Sequence, residues 1–283
     1  MSAGPEPLPP AAALARVPGL ELGGDPLRLE RLSGGSVNDS WRVDTRQGRF
    51  VLRLDGPASR RPGVDRARER LLHDLVAAAG LAPPVLVWAH GEGVQVREFL
   101  AGRVWQEHDM LQSGPLQRLG ARLAQLHAIK VPAEVAPFDP GACAQQYLQL
   151  IDPAAAAAPA GPEALTGASA HDTAATVRAA AGRVAGQGVT PSIVHGDLTH
   201  LNILDGRRLW LLDWEYAQCA DPVYDVACVL AYCPAARPQS STLLAAAGLS
   251  GAGLQGRLAD AILVYEGLTR LWHLARATGV NAA

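Results

Sequence analysis

Several things this chain lacks narrow what it can be. Its 283 residues include four cysteines, Cys143, Cys219, Cys228 and Cys233. None stands in a CxxC pair, and no histidine pairs with them at zinc-finger spacing, so free thiols in a reducing compartment are expected. A charge excess of one sign is missing too. The net charge is −2 and the isoelectric point about 6.4, which argues against a nucleic-acid binder held by phosphate neutralisation. No run of about 18 apolar residues occurs, so no membrane span is expected. The N-terminal residues have no basic start followed by an apolar run and do not read as a secretory signal. Together these absences point to a cytoplasmic protein. What is present is apolar material: 48% hydrophobic residues, enough to build one large domain or two lobes.

The patterning changes along the chain. Residues 1–24 are rich in Pro, Ala and Gly and read as a flexible arm. From Leu27 short alternating runs follow, LRLERL, SWRVDT and GRFVLRL, joined by Gly- and Asn-containing turns, as in antiparallel strands. Residues 63–80 read as a helix ending at Gly80, with Val64, Ala67, Leu71, Leu75 and Ala78 on one face. Its neighbourhood holds Arg60, Arg61, Arg66, Arg68 and Arg70, interrupted by Asp65 and Glu69, and reads as a solvated face. Two more strands are expected at 85–89 and 94–100. Beyond them helical spacing dominates. Leu116, Leu119, Leu123 and Leu126 share a face, as do Leu254, Leu258, Ala261, Tyr265, Leu268 and Trp272. Residues 131–190 are Ala-, Pro- and Gly-rich and read as helices broken by loops, and 223–232 as a buried helix.

The chemistry concentrates in HGDLTHLNILDGRRLWLLD, residues 195–213. Asp197 lies two residues after His195, Asn202 five after Asp197, and Asp213 ends the apolar run Leu209–Leu212. A polar loop between apolar strands is a common seat for reacting groups. Phosphoryl transfer needs a carboxylate for the attacking hydroxyl and oxygen ligands for Mg²⁺. Asp197 suits the first task, Asn202 and Asp213 the second. A backbone-capping turn is the plain alternative for Asp197 taken alone.

These residues resemble the choline/ethanolamine kinase, thiamine kinase and aminoglycoside phosphotransferase family, which has a protein-kinase-like fold. The resemblance covers HxDxxxxN, Asp213-Trp214-Glu215-Tyr216-Ala217 and Asp221-Pro222-Val223-Tyr224-Asp225. It extends to Trp41-Arg42-Val43, Phe50 to Leu54, Gly80 to Pro83, Glu98 to Gly102 and Leu123 to His127, over about residues 30–275. It implies an α+β, two-lobed fold, with a small antiparallel β lobe at 25–100, a larger mainly helical lobe at 101–283 and ATP between them. It implies Asp197 as the catalytic base or the orienter of the substrate hydroxyl, Asn202 and Asp213 as Mg²⁺ ligands, and His195 as a brace. Asp225 would tie down the loop through its backbone.

On the nucleotide side, Arg53 stands where protein kinases carry a strand lysine, and its planar fork suits phosphate oxygens. Glu69 is the candidate helix acid to pair with it, a solvated glutamate being the alternative. The turn with Gly34, Gly35 and Ser36 would cover the phosphates through backbone N–H groups, with Asn38 beside it; a plain hairpin turn fits equally. The stretch from Arg97 through Glu98 and Leu100 to Gly102 would be the hinge where backbone meets adenine. For the acceptor, Glu215, Asp221 and Trp272 are the candidates, since a cation such as choline or thiamine sits well over rings beside carboxylates. Against this, Tyr265 and Trp272 seven apart on a helix also suit a core.

The expected activity is transfer of the ATP γ-phosphate, with Mg²⁺, to a hydroxyl of a small molecule: choline, ethanolamine or thiamine first, an aminoglycoside or sugar second. No activation segment ending in Ala-Pro-Glu follows Asp213, which disfavours protein substrates. Two readings of other classes remain: a nucleotide-binding regulator without catalysis, and a metal-dependent hydrolase built on His195, Asp197 and His200. The last lacks further ligands at recognisable spacing.

Overall fold

The computed structural model describes residues 28–32, 38–56, 62–89, 91, 93–151 and 169–277. Among these, the first lobe is a five-stranded antiparallel sheet. Its strands are β1 (Arg28–Arg31), β2 (Asp39–Asp44), β3 (Arg49–Leu54), β4 (Val85–Ala89) and β5 (Val94–Glu98), in the order β1-β2-β3-β5-β4. Alternation gives the sheet two unlike faces. Val43, Leu52, Leu54, Val94 and Val96 form a small apolar cluster on one. Val51, Arg53, Gln95 and Arg97 fall on the other, with Val51 opposite Arg97 and Arg53 opposite Gln95.

Helix α1 (Arg66–Ala78) interrupts the strands. Asp65 caps its start by accepting from the N–H groups of Ala67 and Arg68. Gly80 ends the turn at φ +68°, where a side chain would be strained, and Leu81 N–H returns to Val76 O.

The larger lobe is mostly helical. It contains α2 (Ser113–His127), α3 (Pro140–Leu150), α4 (Ala170–Ala185), α5 (Val223–Tyr232), α6 (Ser240–Ala246) and α7 (Leu254–Ala277). The leucine stripe of α2 is fully buried as the spacing predicts. In α5 every residue from Val223 to Leu230 is buried. In α7 Leu254, Leu258, Ala261 and Tyr265 are buried, while Leu268 and Trp272 are half-buried and line a cavity. Short strands β6 (Arg103–Val104), β8 (Ile203–Asp205) and β9 (Leu209–Leu211) form a second sheet in the order β6-β8-β9. A third pairs β7 (Ser192–Val194) with β10 (Gln218–Ala220). β6, of two residues, is too short to show in the sequence. No helix among the described residues is long and apolar enough to cross a membrane, and the four cysteines are free.

Candidate active site

The loop that follows β7 is fixed from two sides. His195 is buried, and its Nε2–H donates to Leu212 O at 2.8 Å while its Nδ1 accepts from Asp197 N–H at 3.2 Å. That pairing needs the neutral ring, and burial lowers the ring's pKa accordingly. His195 therefore joins the loop to the end of β9. From below, the Asp225 carboxylate accepts from the N–H groups of His195 at 2.9 Å and Gly196 at 3.2 Å. Its second oxygen lies 2.9 Å from His127 Nε2. Gly196 has φ +79°, and a Cβ there would stand 2.4 Å from Tyr216 O, so only glycine fits.

Asp197 and Asn202 meet directly. The Asn202 amide nitrogen donates to Asp197 O at 2.7 Å and Asp197 Oδ2 at 2.9 Å. Burial, and after it the Asp213 charge, pushes the Asp197 carboxyl up to about 7, against the hydrogen bond from Asn202. Asp213 is the described non-glycine residue with left-handed backbone, φ +61°. Such strain is held only where the surroundings enforce it. Here Leu212 N–H bonds Asn202 O at 2.8 Å, which brings the Asp213 turn alongside Asn202.

The sheet contributes charges. Arg53 Nη1 lies 2.8 Å from Glu69 Oε1 and 3.5 Å from Asp213 Oδ1. Lys130 is the chain's one lysine, so arginine takes the cationic place on β3. Glu69 is 1% exposed, which removes the solvated alternative. Burial works against its charge, yet Arg53 and Arg66 hold its carboxyl below the ordinary range. The solvated reading of the arginine cluster fails for two of its members. Arg66 reaches Glu69, Asp55 at 3.0 Å and Glu215 at 3.2 Å. Arg68 donates to the backbone oxygens of Ala217 and Gly63.

Two cavities meet at this loop. One, of about 620 Å³, lies under the sheet and is lined by Arg53, Glu69, Arg97 and Leu100 from that side. The other, of about 340 Å³, is walled by Tyr147, Tyr216, Tyr265 and Trp272 with Asp197 and Glu215. Asn202 and Asp213 line both.

The remaining candidates sort unevenly. Gly34, Gly35 and Ser36 lie outside the described residues. Asn38 lines the larger cavity, but its amide donates to Glu215 Oε2 at 2.8 Å. Glu98 pairs with Phe50 and turns its side chain to solvent; Phe99 and Leu100 line the cavity instead. Asp221 lines neither cavity. It accepts from Val223 N–H at 2.9 Å and pairs with Arg257 at 3.2 Å, locking the start of α5 to α7. Trp272 is on the smaller cavity's wall, with Arg276 placed 5.3 Å over its ring. Among the described residues no three His, Cys, Asp or Glu side chains gather as a metal cluster, so the hydrolase reading has no site there. Sequence reasoning missed Tyr232, which lines the smaller cavity together with Asp197. It lies seven residues after Asp225, and that two-turn spacing was the available signal.

A small antiparallel sheet and a larger helical lobe with a carboxylate loop between them make a two-lobed, kinase-like fold. Residues 28–260 match the family model described as APH, the phosphotransferase enzyme family, and the chain belongs to that family. No curated protein matches it. A choline/ethanolamine kinase family protein from Mesorhizobium loti is 27% identical, with a TM-score of 0.73 over 95% of this chain and 85% of that one. The choline kinase LicA from Streptococcus pneumoniae shares the fold at TM-score 0.73 and 20% identity, over 89% and 86% of the two chains. A thermostable mutant of the aminoglycoside phosphotransferase APH(4)-Ia, in a ternary complex with ADP and hygromycin B, has TM-score 0.59 and 17% identity, over 92% and 96%.

Proposed function

We propose that the protein transfers the γ-phosphate of ATP to a hydroxyl of a small cationic alcohol of the choline, ethanolamine or thiamine kind. The observation that carries this reading is the shared wall: Asn202 and Asp213 line both the larger cavity under the sheet and the aromatic one beside Asp197. A nucleotide in the first presents its terminal phosphate to an alcohol in the second.

The residues fit Mg²⁺. Asn202 spends its amide nitrogen on Asp197 and keeps its amide oxygen, and Asp213 adds a carboxylate. Two hard oxygen donors suit an ion that otherwise holds water and phosphates. Bound there, Mg²⁺ would neutralise charge on the phosphates. Arg53, fixed by Glu69, supplies the matching cation on the sheet side. Asp197 faces the acceptor cavity and orients the incoming hydroxyl, taking its proton as the phosphate leaves ATP. No covalent intermediate is needed; positioning and charge carry the reaction.

The cationic acceptor is supported by the aromatic wall and by Glu215 within it. Glu215 stands 3.2 Å from Arg66 on one side and lines the aromatic cavity on the other, where its carboxylate would meet a cation. The test is an ADP-release screen with Mg·ATP against choline, ethanolamine, thiamine, aminoglycosides and sugars. Turnover with the first three supports the proposal. Turnover confined to aminoglycosides or sugars replaces the acceptor, and nucleotide binding without turnover on the whole panel leaves a binding protein.

A further inference from the structure

Arg97 is the second arginine on the cavity-facing side of the sheet. Val94 and Val96 of β5 belong to the apolar cluster on the other side, so alternation turns Gln95 and Arg97 into the 620 Å³ cavity. Arg97 lies opposite Val51, diagonal to Arg53. The two arginines differ in their surroundings. Arg53 has carboxylates of Glu69, Asp213 and Asp55 at 2.8, 3.5 and 3.6 Å. Among the described residues, Arg97 has no carboxylate within 4 Å and no hydrogen-bond partner for its guanidinium.

That arrangement is unfavourable without a ligand. Burial lowers the Arg97 pKa to about 10, with Asp213 pulling it up from a distance and Arg53 pushing it down. A half-buried cation near a like charge, with no carboxylate of its own, adds little to the fold, and an apolar side chain of similar length would fill the same wall. The charges acting on it, Asp213 and Arg53, both stand at the end of the cavity where the transferred phosphate must pass.

Resting on the nucleotide reading above, we infer that Arg97 is a second anion contact in this cavity, closing on the phosphate chain of the nucleotide beside Arg53. Arg53 is already shared among three carboxylates, so the free guanidinium is the one with its full charge left for the ligand. Its planar fork matches two phosphate oxygens at once.

The test is calorimetric titration of ATP, ADP and adenosine into the wild type and Arg97→Met, with Mg²⁺ present. Loss of a charge-assisted contact should weaken ATP and ADP about 10- to 100-fold while adenosine changes by less than about threefold. Arg97→Lys should recover part of the loss. Without nucleotide, the thermal midpoint of Arg97→Met should equal or exceed that of the wild type, because an unpaired half-buried charge has gone. An equal loss for adenosine and ADP would make Arg97 a base contact and overturn the assignment. Unchanged ADP affinity, or a lower ligand-free midpoint with parallel losses for all three ligands, would overturn it as well. A wild type that binds none of the three sinks the nucleotide reading itself, a different result from a wild type that binds and a variant that binds equally well.

Discussion

The carboxylate of Asp225 accepts the backbone N–H of His195 at 2.9 Å, thirty residues earlier in the chain. The relationship is part of a longer one. Asp225 and Cys228 lie along one face of α5, and each meets the loop: Cys228 Sγ accepts from Leu198 N–H at 3.1 Å. A buried helix thus serves as the template for the loop. Asp225→Ala would leave the His195 and Gly196 donors and His127 without their acceptor. It should cost about 2–5 kcal/mol in urea-measured stability and lower kcat with it. Asp225→Asn, which keeps one acceptor oxygen, should lose less. Wild-type stability in Asp225→Ala would refute the template.

Asp197 and Asp213 should separate in their effects. Asp197 lines only the aromatic cavity, whereas Asp213 lines both. Asp197→Ala should lower turnover about 10²- to 10⁴-fold and leave Mg·ATP affinity nearly intact. Asp213→Ala should weaken Mg·ATP binding as well. Near-wild-type turnover in both variants would remove the mechanism.

How far the site was legible depended on how contiguous it was. His195, Asp197, Asn202 and Asp213 lie within 19 residues, so their spacing showed on its own. Arg53 was visible as the cation of an alternating strand, and Glu69 as the acid flanking a helix stripe. Arg66 was not: a charged helix face looks solvated unless its partner, Glu215, 149 residues away, is known to stand opposite. Periodicity placed Leu268 and Trp272 on one face of α7 with Tyr265, but it cannot tell a protein neighbour from a cavity wall. Asp221 misled for a related reason. An acid just before a helix serves as a cap as readily as a ligand contact, and here it caps.

Gly196 tests the loop's geometry from within. At φ +79°, and with Tyr216 O at 2.4 Å from an added Cβ, alanine must displace the chain between His195 and Asp197. Left-handed strain alone costs about 1–2 kcal/mol. A displacement of roughly 1 Å at the reacting carboxylate lowers rates about 100-fold. Gly196→Ala should therefore lose kcat far more than melting temperature. Full activity in this variant would mean that the loop tolerates movement and that Asp197 is not held for catalysis.

Glu215 tests the acceptor. Its carboxylate meets Asn38 and Arg66 on one side and the aromatic cavity on the other. Glu215→Gln keeps the shape and removes the charge. KM for a cationic alcohol should rise about tenfold or more, the size of one charge-assisted contact. KM for a neutral sugar alcohol, if it is accepted at all, should hardly move. Parallel changes for charged and neutral acceptors would deny Glu215 any part in reading charge.

His73 sets a pH dependence of stability apart from the reacting groups. It is 4% exposed, and Nε2–H donates to Pro83 O at 2.8 Å while Nδ1 has no partner. Protonation would bury a second N–H with nothing to accept it, and burial lowers the ring's pKa to about 4 from 6.5. The folded value is the lower one, so as pH falls below 6.5 the unfolded chain binds its proton first. Stability from the neutral ring is complete above pH 6.5 and drains away as pH falls toward 4. Between pH 7.5 and 5.0 this amounts to about 2 kcal/mol. Urea unfolding without ligands should show the wild type losing that much more than His73→Gln, whose amide can still donate to Pro83 but does not titrate. His195, whose pKa burial also lowers, adds a loss of the same sign to both proteins and cancels in the comparison. Identical pH slopes for the two proteins would show that the buried ring does not resist its proton.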